Sequence, residues 1–210
     1  MRTPSPRLLI PAALAVALAA CGTDDAPPSG DNNVAIEADR AAETAPLTPS
    51  PTDPAAAVDA GAAYVVLLEP TEGNQTRGDL RFTRAGERIE ITGTLSGLPG
   101  GGSHGFHVHE TGDCSAPDAS SAGGHFNPGS HDHGRVGHGE HHAGDSDNVT
   151  ANADGAAQVK SWLEGATLGD GAATDIVGKA VIVHTDADDY TSQPTGDAGD
   201  RLACGVIEAR

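Results

Sequence analysis

The stretch Gly102 to Glu110 reads GSHGFHVHE, and its His107-Val108-His109 core decides how the chain must run there. On a β-strand successive side chains point to opposite faces, and residues two apart share one face at roughly 6.5–7 Å between Cα atoms. Two imidazoles so placed can converge on one ion, while Val108 points the other way into a core. A second histidine-rich stretch, HFNPGSHDHGRVGHGEHHAGD, runs from His125 to Asp145. Within it His125, His133, His142 and Asp145 supply three imidazoles and a carboxylate, a donor set suited to four-coordinate zinc. Spacing alone does not choose these over His131, His138 and His141. A loose metal-buffering tract is the alternative reading of so many histidines. His184 is the only histidine that lies outside the two stretches.

Outward from this centre the pattern is that of strands. AAYVVLLEP is a short apolar run ended by Pro70. GDLRFTRAGERIEITGTLSGLP holds two alternating runs, one with Leu80 and Phe82, the other with Ile89, Ile91 and Leu95. Arg84-Ala85-Gly86-Glu87 between them predicts the tight turn of a hairpin. Further strands are expected over Ala156–Leu163, Ala180–His184 and Ala203–Glu208. Long loops dense in Gly, Asp and His separate them. Strands with such loops predict an all-β sandwich or flattened Greek-key barrel. Structureless loops of this length are uncommon unless they are functional, so metal ligands or a disulfide must hold them.

The bulk composition agrees. The chain of 210 residues carries 30 acidic against 12 basic side chains, a formal net charge of −18, which argues against a nucleic-acid partner. With 28 Gly, 14 Pro and only 3% aromatic residues it favours turns over long helices.

The N-terminus follows a separate logic. Arg2 and Arg7 precede the apolar run LLIPAALAVALAA, Leu8 to Ala20, which is too short for a permanent membrane span and suits a secretory signal. Its end, Leu18-Ala19-Ala20-Cys21, resembles a bacterial lipobox, in which Cys21 would be lipidated. Residues 1–20 are therefore expected to be a lipoprotein signal peptide. Residues 21–60, rich in Ala, Pro, Asp, Thr and Ser, are expected to be a disordered tether with a reach of roughly 35 Å. Residues 61–210 are expected to form the folded domain. If Cys21 carries lipid, Cys114 and Cys204 remain as a pair. In an exported protein such a pair favours a disulfide over two buried thiols.

FHVHE, GDC, GGHFNP, HAGDSDNVT, VIVH and DRLACGVI follow one another in this order. Together they resemble the copper/zinc superoxide dismutase family over about Ala62 to Ile207. The resemblance implies an eight-stranded, immunoglobulin-like Greek-key barrel with long metal-binding and active-site loops. It implies one copper and one zinc per chain. His107, His109, His125 and His184 match the copper ligands; His125, His133, His142 and Asp145 match the zinc ligands, with His125 bridging. Asp188 matches the carboxylate that ties His107 to His133, and Cys114 with Cys204 matches the family disulfide. Arg201, which by itself reads as an ion-pair partner of Asp200 or Asp197, matches the arginine beside the copper. His104, His131, His138 and His141 match no family ligand.

The activity implied is disproportionation of superoxide to oxygen and hydrogen peroxide. Copper would cycle its oxidation state, while His125 and Arg201 would serve catalysis. A metal-buffering lipoprotein on the same fold is the alternative. Partners implied are superoxide and, through Cys21, the membrane; a homodimer is left open. The implied location is the periplasmic side of the cell envelope, with the outer membrane favoured because Gly22 follows Cys21. One feature departs from the family habit of placing lysines near the copper: 185–200 contains no lysine or arginine. From Gly61 onward 22 acidic residues face 9 basic ones, a net of −13.

Overall fold

The structure is a computed structural model and describes residues 64–210. The expected signal peptide and tether, with Cys21, lie outside the described residues. Ten strands follow in order: β1 (Tyr64–Pro70), β2 (Arg77–Ala85), β3 (Arg88–Ser96), β4 (Ser103–His104), β5 (Phe106–His109), β6 (Val149–Thr150), β7 (Ala157–Glu164), β8 (Ala180–His184), β9 (Arg201–Val206) and β10 (Glu208–Ala209). They reduce to eight continuous runs, because β4 and β5 part only at Gly105, and β9 and β10 only at Ile207. All pairings between these strands are antiparallel, in the order β5-β8-β9-β1-β2-β3-β7, with β10 beside β1. The β4-β5 run changes partner at Gly105, from β6 to β8. A tight turn closed by Asn152 N–H donating to Ala156 carbonyl at 2.8 Å leads from β6 back to β7. The sheet thus curls on itself as the expected Greek-key barrel.

Local chemistry accounts for the register. Gly86 and Glu87 form the two-residue link between paired Ala85 and Arg88, and Gly86 takes φ +66°. Type II′ links need such a positive angle at their first position, which glycine adopts without strain. Alternation then carries Leu80, Phe82, Ile89, Ile91, Leu95, Val159 and Leu163 into one buried core with Val66 and Leu68. Strands expected from Ala156 and Ala203 run instead over Ala157–Glu164 and from Arg201. Strands β4 and β6 were not expected at all: two residues are too few to show a period.

The loops are pinned by backbone pairing and one covalent link. Val108 N–H donates to Gly144 carbonyl (2.9 Å), Phe126 N–H to Val108 carbonyl (2.8 Å) and Gly144 N–H to Phe126 carbonyl (2.9 Å). Two loop segments are thereby laid against β5. Cys114 and Cys204 form a disulfide, with Cα atoms 5.8 Å apart across 90 residues of chain. It fastens the loop after β5 to β9. Reduced thiols at these positions are excluded by the bond.

Gly93 faces Leu80 across the β2-β3 pair with φ +154°, and a Cβ there would collide with the Asp79 carbonyl and lie 3.0 Å from Leu80 Cα. Gly93→Ala should therefore destabilise the domain by about 1–3 kcal/mol. Thermal or denaturant unfolding checks this; an unchanged midpoint would show that the strand relaxes freely there.

Candidate metal centre

β5 builds the first half of the centre. Phe106 and Val108 enter the core, and His107 and His109 occupy the opposite face, fully buried beneath the loops. β8 runs antiparallel beside it, and His184 at its end donates its N–H to Gly105 carbonyl at 2.8 Å. Between Val183 and His184 the β8-β9 register shifts, so that His184 pairs with Arg201. Such irregularities re-aim side chains at sheet edges. An isolated bridge pairs His109 with His125, which brings the loop histidine to the same place. The ligand atoms of His107, His109, His125 and His184 all lie within 4.8 Å of one another.

A second set shares one member with the first. The ligand atoms of His125, His133, His142 and Asp145 also lie within 4.8 Å of one another, and all four residues are buried. Asp145 Oδ1 is 2.7 Å from His125 Nδ1 and 3.3 Å from His142 Nδ1, and its Oδ2 is 3.1 Å from His133 Nδ1. His125 Nδ1 therefore belongs to the second set, and its Nε2 remains for the first.

The donor atoms fit metal ions better than they fit each other. His107 Nδ1, His125 Nε2, His133 Nδ1 and His142 Nδ1 are buried without a hydrogen bond. Unpaired buried polar atoms cost about 1–3 kcal/mol each, so four together in one place call for a missing partner. Outer nitrogens, by contrast, are occupied. His107 Nε2 lies 2.8 Å from Asp188 Oδ2, and His133 Nε2 lies 3.0 Å from Asp188 Oδ1. His109 Nδ1 donates to Gly123 carbonyl (2.9 Å), and His184 Nδ1 faces Gly199 carbonyl (3.3 Å). Ligating histidines commonly show this arrangement, one nitrogen anchored and the other free for the ion. Imidazole sets suit copper and zinc alike, and the His3Asp set suits zinc.

Burial and neighbouring charge divide the rings electrostatically. Burial, with His125 and His184 close by, holds His109 well below its ordinary value. Burial and the nearby His107 ring hold His184 down too, and they lower His125 to about 4. Burial opposes charge on His133 as well, but the Asp145 and Asp188 carboxylates beside its ring prevail and raise it to about 9. Burial likewise disfavours charge on Asp145 and Asp188, yet the histidine hydrogen bonds keep both well below the carboxylate range.

Arg201 forms no ion pair among the described residues, contrary to the local reading of its aspartate neighbours. Its guanidinium donates to the Ala119 (2.5 Å) and Gly123 (2.6 Å) carbonyls, on the loop that the disulfide fastens. Gly123 carbonyl thus accepts from both Arg201 and His109. His104, unassigned from the sequence, is buried: its Nδ1 lies 3.0 Å from both the His184 and Thr185 carbonyls, and its Nε2 lies 3.2 Å from the Pro99 carbonyl. It braces the chain at the end of β8. His131 and His138 are exposed and His141 half-buried, all outside both sets. Sequence reading missed Gln193, whose side-chain amide brackets His133: its Oε1 accepts from the His133 N–H and its Nε2 donates to the His133 carbonyl, both at 2.9 Å. Nothing in a lone glutamine of a polar loop marks that task.

Comparison with known proteins agrees with this geometry. Residues 76–207 match the family model described as copper/zinc superoxide dismutase (SODC). The chain is 38% identical over 149 residues to superoxide dismutase [Cu-Zn] 2 of Aquifex aeolicus, covering 69% of this chain and 85% of that protein. It is 40% identical over 124 residues to the superoxide dismutase-like protein YojM of Bacillus subtilis, covering 58% of this chain and 63% of YojM. Among solved structures it resembles the clock protein EA4 (TM-score 0.62, 36% identity, 70% of this chain and 93% of that one). It also resembles a double mutant of a SOD-like protein from Bacillus subtilis (TM-score 0.60, 38% identity, 69% and 96%). With two buried ligand sets sharing one histidine, and the family match spanning most of the barrel, the chain belongs to the copper/zinc superoxide dismutase family.

Proposed function

We propose that this protein is an active superoxide dismutase that binds one copper in the set His107, His109, His125 and His184 and one zinc in the set His125, His133, His142 and Asp145. The observation that carries this reading is Arg201, held by two carbonyls at the edge of the first set. A metal buffer needs the ligands but has no task for that arginine. Bound copper supplies one-electron redox chemistry, and zinc supplies charge without redox chemistry. In the net reaction two superoxide anions and two protons become one oxygen and one hydrogen peroxide.

The chain's own residues supply positioning and protons. Arg201 offers a fixed cation and N–H donors to a small anion, an arrangement that stabilises charge without reorganisation. Its guanidinium stays in place because Ala119 and Gly123 lie on a loop tied to β9 at Cys204. His125 faces both sets, and its Nε2, free of any hydrogen bond on the side of the first set, is the chain atom through which a proton would pass to the reduced product. Asp188 anchors one ring of each set, so the donors keep their orientation. His109, His125 and His184 are neutral at pH 7 and so have the form a metal requires.

Long-range charge works against the substrate. No lysine or arginine lies within 185–200, and Lys179 is engaged with the Glu110 carbonyl at 2.9 Å. Lys160 sits on β7, at the other end of the strand order from β5. Arg201 is left as the local attraction within a domain of net charge −13.

Turnover and metal content together test the reading. His184→Ala should lose copper and drop superoxide turnover by at least about 100-fold while zinc stays, whereas His142→Ala should lose zinc and keep much of the copper. A copper- and zinc-loaded protein without turnover would leave the metal-buffer reading instead.

Zinc uptake should also release a proton. His133 is charged at pH 7 in the metal-free protein, and its raised value means that a proton competes with the ion. Apparent zinc affinity should rise with pH up to about 9, where His133 loses that proton unaided. Calorimetry at pH 7 in buffers of different ionisation heat should show roughly one proton released; none would contradict the charged His133.

Between 0.01 and 0.1 M salt the Debye length falls from about 30 to about 10 Å. Turnover by pulse radiolysis should stay flat or rise slightly over that range, because screening relieves repulsion. A steep fall would reveal a steering patch. Arg201→Glu should cut the rate by about 100-fold or more at either salt.

A further inference from the structure

Tyr190 takes φ +63°. A left-handed backbone is strained at a bulky side chain and persists only where the surroundings fix it. Glycine would hold the same conformation freely. A tyrosine at this place is therefore explained by what its side chain touches, and the reaction proposed above gives it no task.

Its backbone and its hydroxyl both lead to Asp188. The Tyr190 N–H donates to Asp188 Oδ1 at 2.7 Å. The hydroxyl oxygen accepts from the Asn148 N–H (3.0 Å) and from Asn148 Nδ2 (2.9 Å). The Asn148 side chain in turn grips both backbone groups of Asp188. Its Oδ1 accepts from the Asp188 N–H at 2.8 Å, and its Nδ2 donates to the Asp188 carbonyl at 2.9 Å. Those two contacts fix the orientation of the amide, since an N–H needs the oxygen and a carbonyl needs the nitrogen. Nδ2 thus directs one proton to Asp188 and the other to the tyrosine hydroxyl. The Arg135 guanidinium, itself paired with Asp147 at 2.7 Å, stands 5.1 Å from the centre of the tyrosine ring. Phenylalanine could serve Arg135 equally well; only the hydroxyl serves Asn148.

Asp188 is buried and carries one ring of each ligand set, His107 on Oδ2 and His133 on Oδ1. Both rings turn Nε2 to this carboxylate and keep Nδ1 without a hydrogen bond, free for an ion. A swing of the carboxylate would disturb both sets together. Asn148 holds its backbone, and the Tyr190 N–H holds Oδ1. We infer that Tyr190 is a positioning residue: its hydroxyl orders Asn148, which sets Asp188 and thereby the His107 and His133 rings. Removing the hydroxyl leaves two Asn148 donors without that acceptor and frees the amide to turn away from Asp188.

This inference rests on the assignment of the two sets to metal ions, but its test does not depend on turnover. In the full chain Y190F keeps the ring and the backbone and removes the hydroxyl alone. Zinc affinity, read by competition with a chelator, should fall by roughly tenfold, the low end of what loss of a metal ligand's outer partner costs. The electron paramagnetic resonance spectrum of Cu²⁺ in the first set should shift in the same variant, because His107 hangs on the same carboxylate. D189A is the control for a loop that is merely loosened. The Asp189 side chain accepts from Thr191 and Ser192 and touches neither Asn148 nor the Asp188 carboxylate. D189A should match the wild type in both readings. Nitrogen-15 NMR of the metal-free protein gives a reading without any ion. The Nε2 protons of His107 and His133 should both exchange with water faster in Y190F than in the wild type. Unchanged exchange, zinc affinity and copper spectrum in Y190F would overturn the inference, as would equal effects in D189A. A change confined to His133 and zinc would overturn it too, since one carboxylate serves both rings.

Discussion

Asp145 is a carboxylate with no solvent exposure, and three imidazole nitrogens stand within 3.3 Å of it. An isolated buried carboxylate costs several kcal/mol, so its position is tenable only while those rings surround it. The dependence is mutual. His125 sits against β5 through its bridge to His109, and Gly144, the residue before Asp145, pairs with Val108 and Phe126. The carboxylate and its rings are thus brought together by strand-like backbone pairing of loop segments on a strand edge. Asp188 repeats the device from another loop, with His107 on one oxygen and His133 on the other.

The loops owe their order to the site as much as the site owes its geometry to them. The loop after β5 is tied covalently to β9, and the same strand begins with Arg201. Loop 185–200 touches both ligand sets: Gly199 faces His184, Gln193 brackets His133, and Gly196 comes so close to Asp188 and His133 that no side chain fits there. Ala198 is the one buried apolar side chain within 185–200, so polar contacts to histidines and their backbones hold that loop, whereas Ala119 and Ala122 of the loop after β5 also pack against Ala180 and Ile182.

Much of this was legible in the sequence. The alternation of His107-Val108-His109 placed two rings on one face of a strand and Val108 in the core. Gly86-Glu87 between alternating runs marked the hairpin. The ordered motifs named the family and, through it, the members of both ligand sets. Strands β4 and β6, two residues each, carry no period and went unseen. The ends of β7 and β9 moved by a residue or two because backbone pairing, not hydropathy, sets them.

The sequence by itself determined the chemistry available: which donor types exist, that the chain is acidic, that strands alternate with long polar loops. Residue type and local period are properties of neighbours in the chain, and those follow from order alone. The motifs gave the ligand sets by resemblance alone, and it is the tertiary structure that brings those histidines together. His131, His133, His138, His141 and His142 are equivalent in type and close in sequence, yet only His133 and His142 reach Asp145. His104 became a brace, and Arg201 turned from its neighbouring aspartates to two carbonyls some 80 residues away. Those choices depend on direction and burial across long separations, which backbone pairing and packing set and no local pattern records.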